Sequence, residues 1–146
     1  MLDSDDPLGG DGLSASEELR ETCAAWRELE DDLVDWSSRT GVVVEIWALP
    51  TTGAAADVVR AVRGAVAEAL ANVEKHSGAQ LVSVALTMNA RGMRLTVSDD
   101  GAGCPDGAVG RGIAAMKAHF AAVGGTLSVH GVPGGGTTVS GVVKGR

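Results

Sequence analysis

Glu68, Asn72 and Lys75 follow one another at steps of four and three residues, the spacing that stacks side chains along one face of a helix. A ligand lying on that face would meet a carboxylate, a neutral amide and an ammonium group together. Further on, Asp99-Asp100-Gly101-Ala102-Gly103 sets carboxylates at the mouth of a glycine loop. Gly110-Arg111-Gly112 precedes an apolar helical pattern, so the free N–H groups of a helix start could point at phosphate oxygens. Gly134-Gly135-Gly136-Thr137 adds a hydroxyl beside a turn. Each segment has an everyday alternative. The first reads equally well as the wet side of an amphipathic helix, and the second, by itself, more readily as an ordinary turn. The third is no Rossmann fingerprint, because the strand before it and the acidic residue after it are misplaced. The fourth is also a glycine hairpin entering an edge strand.

In this order the four segments resemble the ATP-binding domain of two-component sensor histidine kinases, members of the wider GHKL ATPase superfamily that includes gyrase, Hsp90 and MutL. Glu68 through His76 is similar to the family's N box. The resemblance implies that Asn72 gives Mg²⁺ a neutral oxygen ligand, a donor type that this ion prefers. It implies that Glu68, one turn earlier, orders or deprotonates a metal-bound water or the attacking group. Lys75 would meet a phosphate oxygen, and His76, at the end of the same helix, would count among the nucleotide-binding residues. The Asp99 to Gly103 run is similar to the DxGxG box, which makes Asp99 the acceptor for the adenine amino group. A carboxylate only accepts, so it rejects guanine, which presents a carbonyl there. Gly101 and Gly103 would let the backbone adopt positive φ and approach the base without a Cβ clash. Gly110, Arg111, Gly112 and Ile113 match the second glycine box, and Thr137 matches a hydroxyl that holds a water network around adenine.

Cys104-Pro105-Asp106-Gly107-Ala108-Val109 corresponds to the ATP lid. So short a lid resembles the kinase class that pairs with nitrate-response-type regulators. Glu74-Lys75 and Cys104-Pro105 depart from the family's pattern. Cys104 reads as an unreactive loop thiol in preference to a reactive one, Arg111 being its one basic neighbour.

The resemblance implies transfer of the γ-phosphoryl group of Mg-ATP to a histidine on a separate helical dimerisation domain, then relay to a response regulator, within a homodimeric parent kinase. His76, His119 and His130 are the chain's histidines, and none has the acid that follows a phosphoacceptor. One helix before the first strand cannot form a two-helix dimerisation domain, so the chain reads as a catalytic fragment. Two alternatives stand beside this: a free-standing serine kinase of the anti-sigma-factor type, and a nucleotide-responsive module without phosphotransfer. A Trp-bearing N-terminal helix favours the kinase fragment, and Glu68 with Asn72 argues against a merely binding module.

Composition bounds these readings. The 146 residues are 45% hydrophobic, enough for one compact domain with a core. A net charge of −7 argues against a phosphate-backbone reader of nucleic acid, which needs clustered Lys and Arg. Cys23 and Cys104 lack CxxC spacing, so neither a disulfide framework nor a zinc site is indicated, and a reducing cytoplasm is the expected compartment. No apolar run approaches the roughly 18 residues of a membrane helix, and the acidic opening lacks a signal peptide's basic region. Direct membrane contact is therefore not expected, whatever anchors the parent kinase. With 3% aromatics and 21 glycines, the core must come from Val, Ala, Leu and Ile.

Residues 1–16 read as a flexible lead-in or linker, and residues 17–146 as a single ATP-binding catalytic domain. Apolar periodicity predicts a helix from Glu17 to about Ser38 and a central helix from Ala54 to His76. Between them a β-branched run at residues 42–49 ends at Pro50. Alternation predicts a hairpin of Leu81–Met88 with Met93–Ser98. A helix from about Gly112 to Val123 and strands at Thr126–His130 and Thr137–Val143 follow. The expected fold is α/β, an α+β two-layer sandwich. It has a mixed, largely antiparallel sheet of about five strands with three or four helices on one face, the Bergerat fold.

Overall fold

The computed structural model describes residues 15–103 and 111–145, with side chains from Ala24 onward except those of His76 and Ser77. The expected lid, Gly110, most of the lead-in and the side chains of Cys23 and His76 lie outside the described residues. The chain runs α1 (Ala15–Thr40), β1 (Val43–Ala48), α2 (Ala56–Asn72), a five-residue π-helical turn (Val73–Ser77), β2 (Leu81–Asn89), β3 (Gly92–Asp99), α3 (Arg111–Ala121), β4 (Thr126–Val132) and β5 (Gly136–Lys144). Five strands form one sheet in the order β1-β2-β3-β5-β4. β1 and β2 are parallel, joined through α2, and every other pairing is antiparallel.

Alternation places one face of this sheet against the helices. Val82, Val84 and Leu86 of β2 are buried, as are Met93, Leu95 and Val97 of β3. The register aligns Val84 with Val97 and Val97 with Val139, carrying an apolar row across three strands. The reverse face is polar where these strands cross it: Ser98 and Thr138 face each other there with hydroxyls 3.0 Å apart. Trp47, next to the irregularity in the β1–β2 register, is 73% exposed. The expected mixed sheet with helices on one face is the observed architecture.

The central helix differs from its expected form. Its α-helical part stops at Asn72 and the chain continues through the π-helical turn to Ser77. Val73 stays buried within the wider turn, so the apolar pattern runs on while the backbone geometry changes. Such turns are rare and short, and frequently sit at functional sites.

α1 lies along α2 and β1 through Trp26, Leu29, Leu33 and Trp36, all buried and spaced at helical steps. Full burial of a leucine such as Leu33 contributes about 1.5–3 kcal/mol. Both tryptophans also donate hydrogen bonds: Trp26 Nε1 to the Thr52 carbonyl at 3.0 Å, and Trp36 Nε1 to Glu74 Oε1 at 2.7 Å. Arg39 reaches the same carboxylate at 2.9 and 3.2 Å. Arg63 of α2 bridges Glu28 and Asp32 of α1 at 3.1 and 2.8 Å. A cleft of about 430 Å³ between α1 and α2 is floored by Leu29, Leu33, Val66 and Leu70. α3 is seated by Ile113, Met116 and Phe120, all buried. No helix among the described residues is long and apolar enough to cross a membrane.

Candidate functional site

Asp99 is the last residue of β3, and its register with Val82 and Thr137 puts it on the helix-facing side of the sheet, in the row of Val97 and Leu95. The side chain is half-buried, and Oδ1 accepts the Gly101 N–H at 2.8 Å. Burial pushes the carboxyl above the usual aspartate range, while the backbone amides of Gly101 and Thr137 pull it down. An acceptor held half-buried at a strand end is well placed to receive a donor from a ligand.

Asp100 does different work. Its Oδ1 accepts the N–H groups of Gln80 and Leu81 at 2.9 and 3.0 Å, and its own N–H donates to the Leu81 carbonyl at 3.2 Å. Those two amides hold this exposed carboxyl below its usual range. Of two consecutive acids, one faces the interior end of the sheet and the other ties β3 to the start of β2.

The glycine segments are joined around Asp99. The Gly134 N–H donates to the Ala102 carbonyl at 2.7 Å. Gly103 and Gly136 have φ of +82° and +91°, whereas Gly101, also expected to need a positive φ, does not have one; a Cβ at Gly103 would overlap the Val132 carbonyl and one at Gly136 the Asp99 carbonyl. Only glycine fits both positions. Asp99, Gly101, Gly103 and Thr137 therefore form one corner, built from the ends of β3, β4 and β5.

The second half of the site lies on α2 and α3. Val58, Val62, Ala65 and Ala69 form the buried row of α2, and Glu68 and Asn72 flank it, each half-buried. Gly112, in the first turn of α3, sits beneath Asn72: a Cβ there would fall 2.8 Å from Asn72 Oδ1 and 3.2 Å from Nδ2. The amide oxygen of Asn72 thus adjoins a helix start, whose first N–H groups have no partner within the helix. Ile113 anchors this turn in the core and Arg111 is exposed. Lys75 is exposed within the π-helical turn.

Asn72 and Gly112 are therefore brought into contact, as are Asp99, Gly101 and Thr137. Glu68 shares the flank of Asn72. Sequence reasoning gave Glu74 no part, yet it binds both Trp36 and Arg39, and its carboxyl is held low chiefly by the Arg39 hydrogen bond and next by that of Trp36. The available signal was its alignment with Ala67 and Ala71 along a second line of α2, distinct from the line of Glu68, Asn72 and Lys75. His119 was set aside, and the structure places its imidazole against Gly64.

A strand-end acid inside a glycine corner, together with an asparagine that abuts a helix start, is an arrangement suited to binding a nucleotide. Residues 57–144 match the family described as Histidine kinase-, DNA gyrase B-, and HSP90-like ATPase, and the chain belongs to it. It is similar to the Sensor histidine kinase LnrJ of Bacillus subtilis (strain 168), with 36% identity over 75 residues, 51% of this chain and 19% of that protein. The chain thus spans about a fifth of that curated relative. The ATP binding domain of PrrB from Mycobacterium tuberculosis is 26% identical with a TM-score of 0.66, over 83% of this chain and 93% of that one. The histidine kinase domain of the blue-light activated histidine kinase of Erythrobacter litoralis shares the fold. Its TM-score is 0.70 at 21% identity, over 82% of this chain and 60% of that one.

Proposed function

We propose that residues 17–146 are the ATP-binding catalytic domain of a sensor histidine kinase, and that the linker expected over residues 1–16 gives way to α1 at Ala15. The observation that carries this reading is the seating of Asn72 on the first turn of α3, which brings a neutral oxygen donor and free helix amides to one place. Asp99 selects adenine, with Gly101 and Gly103 admitting the base and Thr137 at its rim. Gly110, Arg111, Gly112 and Ile113 receive the phosphates, assisted by Lys75 and His76.

No group of three or more His, Cys, Asp or Glu clusters among the described residues, so those residues offer no all-protein cage for a metal. That donor set fits Mg²⁺, which takes few protein ligands and completes its shell with phosphate oxygens and water. Asn72 would hold it directly and Glu68 through water, and the ion would neutralise charge on the phosphates. In the transfer, a histidine nitrogen of the acceptor domain bonds to the γ-phosphorus as its bond to the ADP oxygen breaks. Glu68 takes the imidazole proton. Positioning and charge neutralisation supply most of the rate.

The reading includes a phosphoacceptor helical domain in a homodimeric parent, a response regulator downstream, a cytoplasmic location, and membership of the nitrate-sensor-like class on the strength of the short lid. Similarity to LnrJ and to the PrrB domain supports the kinase assignment over a free-standing serine kinase. Calorimetric titration with Mg-ATP and with GTP tests it, alongside Asp99→Asn and Asn72→Ala. Selective ATP binding that Asp99→Asn abolishes, with Mg²⁺ dependence lost in Asn72→Ala, is expected. Binding of neither nucleotide refutes it.

A further inference from the structure

α2 and α3 pack against each other along their lengths, and at two places a glycine of one helix lies beneath a polar side chain of the other. At one, Gly112 of α3 receives Asn72 of α2. At the other, Gly64 of α2 receives His119 of α3: a Cβ at Gly64 would fall 2.7 Å from His119 Cε1 and Nε2 and 2.9 Å from Nδ1. The pairing of 64 with 119 and 72 with 112 makes the helices antiparallel. At 1.5 Å of rise per residue the two places are about 12 Å apart along α2 and about 10 Å apart along α3.

Glycine inside a helix costs about 1 kcal/mol relative to alanine, so Gly64, in the middle of an alanine-rich helix, calls for a packing reason. The imidazole supplies one. Two short, stiff helices packed together over this span cannot change their separation at one end without tilting at the other, because packed interiors transmit strain.

We propose that His119 is a positioning residue for the nucleotide site: its ring, seated on Gly64, sets the spacing of α2 and α3 and thereby holds Asn72 against the first turn of α3. This rests on the nucleotide reading above and deepens it. His119 contributes bulk and shape, and touches neither nucleotide nor metal. Any side chain at position 64 displaces the ring.

The test uses the full chain with His119→Ala, His119→Phe, Gly64→Ala and the double variant Gly64→Ala/His119→Ala. Without nucleotide, His119→Ala is expected to shift the NMR resonances of the Gly112 backbone amide and the Asn72 side-chain amide. In calorimetry it is expected to weaken Mg-ATP binding by about tenfold, within the range by which packed-network substitutions alter coupling, and to reduce the gain from added Mg²⁺. His119→Phe, which restores a flat ring, recovers affinity. Gly64→Ala weakens binding, and does so less when His119 is already alanine, because the new methyl group then has room. His119→Ala only removes atoms and carries the test alone should Gly64→Ala fail to fold.

Folded variants with unmoved resonances and unchanged affinity overturn the proposal, even if their melting temperatures fall. Failure of Phe to rescue overturns the spacer role in favour of ring chemistry. If the unsubstituted chain binds no ATP, the nucleotide reading falls and this role with it. If that chain binds and the variants are unmoved, only the positioning role falls.

Discussion

Replacing Gly112 by alanine sets helix stability against ligand geometry, and the two are expected to move in opposite directions. The position is helical and has no positive φ, so alanine is conformationally welcome and contributes up to about 1 kcal/mol by helix propensity. The new methyl, however, would stand 2.8 Å from Asn72 Oδ1 and 3.3 Å from Cγ. The carboxamide is a half-exposed side-chain end and can turn aside, so the clash is relieved by moving Asn72 rather than by unfolding α3. Losing one well-placed polar contact to a charged ligand costs about 1.5–3 kcal/mol, or roughly 10- to 150-fold in affinity. Thermal unfolding of the apo chain should therefore show a midpoint unchanged or raised by up to a few degrees. Titration with ATP should show weakened binding in Mg²⁺ and little change without it. A Gly112→Ala chain that melts well below its parent, or that binds Mg-ATP as tightly, would refute the reasoning.

Asp99→Asn should stabilise the apo chain at neutral pH. Burial raises the folded pKa of Asp99, so its contribution to stability is present below the unfolded value, near pH 4, and is lost as pH rises through the folded value. The variant's advantage should therefore vanish in acid, and ATP binding should vanish with the carboxylate; melting curves at several pH values and calorimetry check the two parts. Asp100→Asn should do the reverse, lowering the melting temperature while leaving ATP affinity alone, because its carboxylate serves Gln80 and Leu81. The folded pKa of Asp100 is lowered, so its contribution is present above the unfolded value and lost as pH falls through the folded one, and the gap to the variant should narrow on acidification. Glu74→Gln should loosen α1 at neutral pH, seen as a change in tryptophan emission that Trp36→Phe removes; equal emission in the two chains would count against the Trp36–Glu74 hydrogen bond.

Much of the fold was legible because its signals are local. Strands β2 and β3 alternate strictly, and Asn89 accepts the Arg91 N–H at 2.8 Å in the turn between them, so a short window contained the whole hairpin. The corner around Asp99 was legible only through the order of the four segments, since Asp99-Asp100-Gly101 alone reads as an ordinary turn and its partner Thr137 lies on another strand. What escaped was carried by distant partners: Trp36 meets Glu74 from 38 residues away, and His119 meets Gly64 across the α2–α3 interface. No periodicity marks such pairs, since Trp36 alone suits the buried face of α1, and Glu74 and His119 alone suit an ordinary polar helix face. The π-helical turn escaped for a related reason, because Val73 remains buried whichever way the backbone winds. The division of labour between Asp99 and Asp100 lay in which amides each carboxylate found, and type and order are silent on that.

α2 is touched along two lines of its circumference. Ala67 and Ala71, with Glu74 of the turn that continues the helix, line the α1 cleft, while Gly64 and Asn72 meet α3. A helix is a single rod, and side chains reach about 5–6 Å from its axis. Rolling it by about 10° under pressure from α1 would sweep the tip of Asn72 through about 1 Å, a misplacement large enough to alter rates about a hundredfold in a preorganised site. α2 is in this sense an axle, on which a torque applied at Trp36 and Arg39 is felt at the amide of Asn72.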